Sequence, residues 1–289
     1  MPHDVPQNHF IGSHMSIAGG IHLAVERAVS VGCRALQIFV KNSNRWEGPP
    51  ISGQGAADYR AAIAGSGIAP EHVFAHTSYL INLASPKDDL GEKSLAALVD
   101  ELRRCEQLGV PGLVMHPGSP GAADDAAIER IGSRAARALR EAGGSTRLLY
   151  ETTAGTGQHL GRTFEEIAAL LDATGLPDRV GCCMDTCHIF AAGYELRRPE
   201  AFAETMARFD ATVGFRRLCA VHLNDSQHAL GSRKDRHEHI GEGELGEQPF
   251  RLLLADARFR TVPMALETEK GDDLAEDRMN LATLARLST

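Results

Sequence analysis

The sequence predicts an α/β protein, a single-domain (β/α)8 (TIM) barrel with its active site at the C-terminal face of the strands. Three observations lead there. Eight short apolar runs recur along the 289 residues, and stretches long enough for helices separate them. Metal-capable side chains stand just past the ends of most of these runs. An open doubly wound sheet gathers functional groups at one switch point, whereas groups from strands three through eight converge only when the strands close into a ring.

The runs cover residues 10–14, 35–41, 72–76, 112–116, 147–151, 180–185, 219–222 and 263–267. Most are near-continuous rather than alternating, as parallel strands covered on both faces require. The first ends in His14 and the second in Lys41. The other six end in turn in His76, His116, Glu151, Asp185, His222 and Glu267. Helical spacing fills the gaps. Over 91–108 it aligns Leu95, Leu98, Val99 and Leu102, and over 124–141 it turns Ile128, Ile131, Ala135, Ala138 and Leu139 inward before a Gly143-Gly144 stop. Thr163-x-x-Glu166 has the form of a capping box, opening a helix to about residue 172. Pro199 suits the first turn of a helix through Phe202 and Met206. No linker, repeat or low-complexity stretch divides the chain, and residues 1–9 read as a loose lead-in to one domain.

At 43% hydrophobic the chain can bury a large core. No run approaches the roughly 18 apolar residues of a membrane helix, and MPHDVPQNHF lacks the basic and apolar regions of a signal peptide. The six cysteines form no CxxC pair and read as reduced core thiols of a cytoplasmic protein. A net charge of -8 argues against a generic nucleic-acid binder. Divalent metals would reverse that locally by concentrating positive charge in one cleft.

The metal-capable residues are His76, His116, Glu151, Asp185, His188, His222, Asp235, His237 and Glu267. A lone histidine or glutamate at a strand end is ordinarily a hydrogen-bonded structural group. Several at matching positions are another matter, because buried carboxylates need partners or cations to offset desolvation. Imidazole and carboxylate suit zinc and its neighbours. Asp185-Thr-Cys-His188 offers two ligand types at the turn after strand six, with Cys187 a bystander. Asp235-Arg-His237 places two on the same side of an extended loop. That loop, GSRKDRHEHIGEGELG from Gly231, is basic and Gly-punctuated and reads as free of an apolar face. His3, His9, His22, His72, His159, His228 and His239 lack such a setting, while His14 reads as a supporting group behind the ligands. Gly-Ser-His-Met at 12–15 mimics a tag scar but continues into Ser-Ile-Ala-Gly-Gly, so it reads as native.

The loop after strand two carries Lys41, Asn42, Asn44, Arg45 and Trp46, and Tyr79 and Leu80 follow strand three. Basic and amide groups grip phosphates, and aromatic or apolar side chains wedge into or stack on bases. A tryptophan packed on the barrel rim is the plain alternative for Trp46.

Together, GSHMSIAGG, KNSNRW, HTSYLINL, RRCEQLGV, HPGS, ETTAGTG, MDTCHIFAAGY, HLNDS, GSRKDRHEHIGEGELG and LET resemble the endonuclease IV family of zinc-dependent apurinic/apyrimidinic (AP) endonucleases. The matches span the chain from Ile11 to Glu267, and the stretches around Asp235 and His188 are the most specific. The resemblance implies three Zn2+ per chain, with Mn2+ an alternative at one position. His76, His116 and Glu151 would bind one, and Glu151 would bridge to a second held by Asp185, His222 and Glu267. His188, Asp235 and His237 would bind the third. It implies DNA contacts from the loops after strands two and three, and here also from Arg233 and Arg236. The partner would be double-stranded DNA with abasic sites or blocked 3′ ends, met by a monomer and no membrane. Two positions depart from the family pattern. Asn44 stands where arginine is frequent, and Thr152 stands where asparagine is common.

The expected chemistry is hydrolysis of the phosphodiester 5′ to an abasic site, leaving a 3′-hydroxyl and a 5′-deoxyribose phosphate, with trimming of 3′ ends besides. Paired metals about 3.5–4 Å apart supply a nucleophile and steady the leaving oxygen of an in-line displacement. Glu151 and Glu267 are the catalytic candidates, Glu151 as proton acceptor. A divalent-metal sugar isomerase or epimerase on the same barrel is the rival, but it has no use for Asp235-Arg-His237 or an exposed Lys-Asn-Ser-Asn-Arg-Trp loop. A lesion-binding protein with structural zinc fits poorly, because the ligand set holds much carboxylate and little thiolate.

Overall fold

The computed structural model describes residues 8–122 and 124–288. Eight parallel strands close into a barrel: β1 (Phe10–Met15), β2 (Ala35–Phe39), β3 (Val73–His76), β4 (Gly112–Met115), β5 (Arg147–Glu151), β6 (Val180–Asp185), β7 (Leu218–His222) and β10 (Pro263–Leu266). β10 pairs with both β7 and β1 to close the ring. The helices are α1 (Ile21–Ser30), α2 (Gly53–Ser66), α3 (Asp88–Leu108), α4 (Ala127–Ala142), α5 (Phe164–Thr174), α6 (Thr186–Ala192), α7 (Pro199–Thr212), α8 (Glu247–Ala255) and α9 (Ala275–Leu287). None of the described helices is long and apolar enough to cross a membrane.

Strand alternation positions the site. Phe74, Val114, Leu149, Cys183, Ala220 and Ala265 form an apolar cluster separate from the main core. Two residues further along each of those chains stand His76, His116, Glu151, Asp185, His222 and Glu267. Side chains two apart in a strand share a face, so a polar layer rests directly on an apolar plug. The intervening residues, such as Ala75, Leu113 and Tyr150, join the core between barrel and helices.

Local chemistry sets several boundaries. The Thr163 hydroxyl accepts from the Glu166 N–H while Glu166 reaches back to the Thr163 N–H, the reciprocal capping box expected at the start of α5. Pro199 opens α7 as its first residue. Other boundaries differ from expectation. His72 belongs to a 3-10 turn, Pro70–His72, not to β3. Helix α3 begins at Asp88 rather than residue 91, and α4 at Ala127 rather than 124.

Three larger corrections follow. The expected turn after β6 is the helix α6, whose N-cap Asp185 accepts from the His188 N–H at 2.7 Å. The loop from Gly231 does have an apolar face, because Ile240 and Leu245 are buried. It is organised from below by Asp225, in the two-residue strand β8 (Asp225–Ser226), which pairs with β9 (His237–Glu238). The buried Asp225 carboxylate accepts from the N–H groups of Gly241, Gly243, Leu245 and Gly246 at 2.9–3.1 Å. Of the expected lead-in, residues 1–7, His3 among them, lie outside the described residues, and His9 is buried. The six cysteines are free thiols, five buried and Cys219 half-buried.

Candidate metal centre

Side chains at the strand ends meet in three groups whose ligand atoms lie within 4.8 Å of one another: His76, His116 and Glu151; Glu151, Asp185, His222 and Glu267; and Asp185, His188 and His237. Glu151 belongs to two of them through different oxygens. Its Oε2 lies 3.1 Å from His76 Nε2 and 3.0 Å from His116 Nε2. Its Oε1 lies 2.9 Å from His222 Nδ1 and 3.2 Å from His188 Nδ1. Asp185 joins the second group to the third, where the resemblance implied it for the second alone. Asp235 flanks the third, its Oδ1 3.1 Å from His188 Nε2 and 3.5 Å from His237 Nε2.

The hydrogen-bond directions decide what this cluster is built for. His76 Nδ1 faces the Thr77 carbonyl at 2.8 Å, an acceptor only, so that nitrogen must carry the proton. The Nε2 lone pair of the neutral ring then points at the Glu151 carboxylate. His188 repeats the pattern, with Nδ1 on the Thr152 carbonyl and Nε2 toward Asp235. His237 does so with Nδ1 on the Glu267 carbonyl and Nε2 toward Asp185 and Asp235. In His222, Nε2 faces Gln37 Oε1 at 2.6 Å, and Nδ1 faces oxygens of Glu151, Glu267 and Asp185. Four neutral imidazoles aiming lone pairs at carboxylates repel them; a cation between each pair turns repulsion into coordination. His188 Nε2 and His237 Nε2 are buried without a hydrogen-bond partner, as ligand atoms waiting for an ion would be.

Protonation is the alternative route to balance, and the acids and imidazoles shift each other accordingly. Burial opposes charge on Glu151, but His116 and His222 outweigh it and hold the carboxyl well below the usual range. Burial likewise opposes ionisation of Glu267, and His222 and His14 hold it well below. Burial depresses His222 and His188 while the surrounding acids override it and raise both well above the ordinary value. With no metal cation, only protons taken up by these imidazoles could offset the acids. The oxygen and nitrogen donor set fits zinc, and Cys187 stays a bystander, its thiol pushed up to about 12 by burial and directed at the Arg236 carbonyl.

Supporting groups orient the ring. His14 Nδ1 lies 2.7 Å from Gln37 Nε2 and 3.6 Å from Glu267 Oε1. Gln37 and Asn224 were not singled out from sequence, and Thr152 was noted only as a departure from the family pattern. Gln37 Nε2 donates to Glu267 as its Oε1 receives His222. Asn224 donates to Asp185 Oδ2 at 2.7 Å and accepts the Glu267 N–H at 2.9 Å. Thr152 Oγ1 accepts the Asp185 N–H at 2.9 Å. A glutamine inside the apolar run Ala-Leu-Gln-Ile-Phe was the available signal.

The residues expected to grip DNA divide. Tyr79 is 64% exposed at the mouth of a cleft of about 300 Å³ over the cluster, and Leu80 is half-buried beside it. Asn42, Asn44 and Arg45 are exposed in a turn in which Asn42 Oδ1 accepts the Asn44 N–H. Arg233 and Arg236 are exposed on the loop above the third group, Arg233 with a left-handed φ of 56°. Lys41 is a correction. Its buried ammonium meets Asp100, Glu101 and the Trp46 carbonyl, leaving none of it for a phosphate. Trp46 is a second correction: its ring packs partly buried on the core, with Lys93 Nζ 4.5 Å above it, so it is not a free stacking platform.

Residues 25–285 match the family described as "Xylose isomerase-like TIM barrel". A protein of Trichlorobacter lovleyi named "Probable endonuclease 4" is 50% identical over 280 residues, covering 96% of this chain and 99% of its own length. One of the same name from Chloroflexus aggregans is 51% identical over 278 residues, covering 96% of each. The crystal structure of endonuclease IV from Thermus thermophilus superposes with a TM-score of 0.85 at 38% identity, covering 96% of this chain and 98% of that one. A D-psicose 3-epimerase from Clostridium cellulolyticum superposes at 0.65 with 16% identity, over 96% and 95%, a likeness of fold alone.

Proposed function

Because this chain belongs to the endonuclease IV family, and is thus an AP endonuclease, we propose that it holds three zinc ions and cuts the phosphodiester 5′ to an abasic site in duplex DNA. The observation that carries the zinc reading is the set of four histidines whose unprotonated nitrogens face carboxylates. His76, His116 and Glu151 would hold one ion, and Glu151, Asp185, His222 and Glu267 a second. His188, His237, Asp235 and Asp185 would hold the third. Bound there, the ions supply a water-derived nucleophile near neutral pH and Lewis-acid stabilisation of phosphate charge.

The chain's own residues do the rest. Glu151 faces both neighbouring groups with its two oxygens and would accept the proton of the attacking water. Glu267 is held by Gln37, His14 and His222 on the wall of the cleft, at the phosphate's approach. The exposed Tyr79 and the adjacent Leu80 would enter the gap left by the displaced abasic nucleotide, which costs least where no base is stacked. Arg233 and Arg236 would meet the backbone above the third group. Trimming of blocked 3′ ends uses the same phosphodiester chemistry. In this reading the chain is one nuclease domain, monomeric and cytoplasmic.

The test is a duplex carrying one tetrahydrofuran abasic analogue, combined with metal analysis of the purified protein. A nick 5′ to the lesion and about three metals per chain are expected. Absence of nicking by fully metallated protein, or activity on ketoses instead, would overturn the assignment.

A further inference from the structure

We propose that Lys41 and Glu101 form a buried ion pair that fixes the loop after β2 and the loop after β3 to helix α3 in one arrangement, making both positioning residues for DNA binding. This rests on the proposal that the exposed Asn42, Asn44 and Arg45 of the β2 loop, with Tyr79 and Leu80 after β3, grip DNA.

Their side chains are 2% and 1% exposed, and Lys41 Nζ lies 3.1 Å from Glu101 Oε1. The ammonium has three protons and finds three acceptors: Glu101, the Trp46 carbonyl at 2.8 Å and Asp100 Oδ2 at 3.3 Å. Glu101 in turn receives the Ser78 N–H, at 3.1 Å to Oε2 and 3.4 Å to Oε1. Ser78 immediately precedes Tyr79, and its hydroxyl and carbonyl accept from the N–H groups of Leu80 and Ile81. One carboxylate therefore touches the residue that anchors the β2 loop and the residue that sets the turn carrying Tyr79 and Leu80. One turn along α3, Arg104 donates to the carbonyls of Gly48 and Pro49 at 2.9 Å each, closing the far side of the β2 loop.

A buried ion pair adds little net stability over an apolar pair of similar size, but its geometry is specific. Losing that geometry should leave the metal groups intact and cost DNA binding, since small misplacements of binding groups are expensive.

Single charge removals leave a buried charge alone, so the informative variant is the double change Lys41→Met with Glu101→Gln, which removes both. Circular dichroism and metal content should match the wild type. The KM for the abasic-analogue duplex should rise about tenfold with kcat within about threefold, because ground-state binding is what is lost. Backbone amides of residues 78–81 should exchange faster with solvent. Wild-type KM together with wild-type exchange would overturn the proposal. Should the double variant not fold, Glu101→Asp keeps the charge opposite Lys41 but shortens the reach to Ser78. It should raise KM in the same way, and an unchanged KM would again overturn the proposal. Tyr79→Ala separates the two readings. If it leaves KM unchanged, the DNA-gripping role of the loop fails, while the exchange measurement still reports on the ion pair.

Discussion

The atom that matters in each histidine of the cleft is the one facing away from its backbone anchor. Thr77, Thr152 and Glu267 carbonyls each fix one ring nitrogen as donor, which leaves the other to face an acid. Gln37 does the same for His222 while also holding Glu267. Two expectations belong to this scale. Glu267→Gln should keep the fold, since the amide is isosteric, and lower nicking of the abasic-analogue duplex by about 10²–10³-fold, as loss of one preorganised charge-stabilising group does elsewhere. Near-wild-type turnover would remove Glu267 from the machinery. Gln37→Leu should weaken metal retention against a chelator by about 10–100-fold, the usual cost of losing a group that orients ligands. Retention equal to wild type would make Gln37 a spectator.

At the scale of elements, short-range chemistry fixes where helices start. Thr163→Ala removes the side-chain half of the α5 capping box and should cost about 1 kcal/mol in urea unfolding, with activity unchanged. After α6, Arg197 pairs with Glu195 and holds its carboxyl down to about 2. A carboxyl lowered in the folded state contributes stability above its ordinary range, and that contribution fades as pH falls through the folded value. Glu195→Gln should therefore lower the melting temperature at pH 7 but by much less near pH 2. Equal losses at both would point to packing rather than charge. The gain should be modest, since the pair is partly solvated. The β8–β9 ladder and the Asp225 hub show a different logic, with one buried acid ordering a glycine-rich loop by backbone contacts alone.

For the whole molecule, closure of the barrel sets acids and imidazoles from six strands side by side above an apolar plug. Without cations that layer can be balanced only by protonating imidazoles against the cost of burial. Stripping the metals should lower the melting temperature clearly, and adding Zn2+ should restore it. Ligand present at a thousandfold excess over its Kd contributes about 4 kcal/mol. A melting temperature insensitive to chelation would mean that the cluster balances itself with protons. The net charge of -8 sits easily with a DNA substrate in this picture, because what the phosphate meets is the local field over the cluster.

Much of this was readable from the chain itself. Near-continuous short apolar runs placed His76, His116, Glu151, Asp185, His222 and Glu267 at strand ends, because a parallel strand covered on both faces is mostly apolar until it emerges. Capping chemistry at Thr163 and Pro199 is local and was equally plain. Only the tertiary structure decided that Lys41 and Trp46 turn inward, that Gln37 and Asn224 hold the ligands, and that Asp185 is shared with the third group. Those outcomes depend on which partners lie across the barrel, up to hundreds of residues away in sequence. A side chain's type states what it can bond to, and the closed ring of strands determines what it meets.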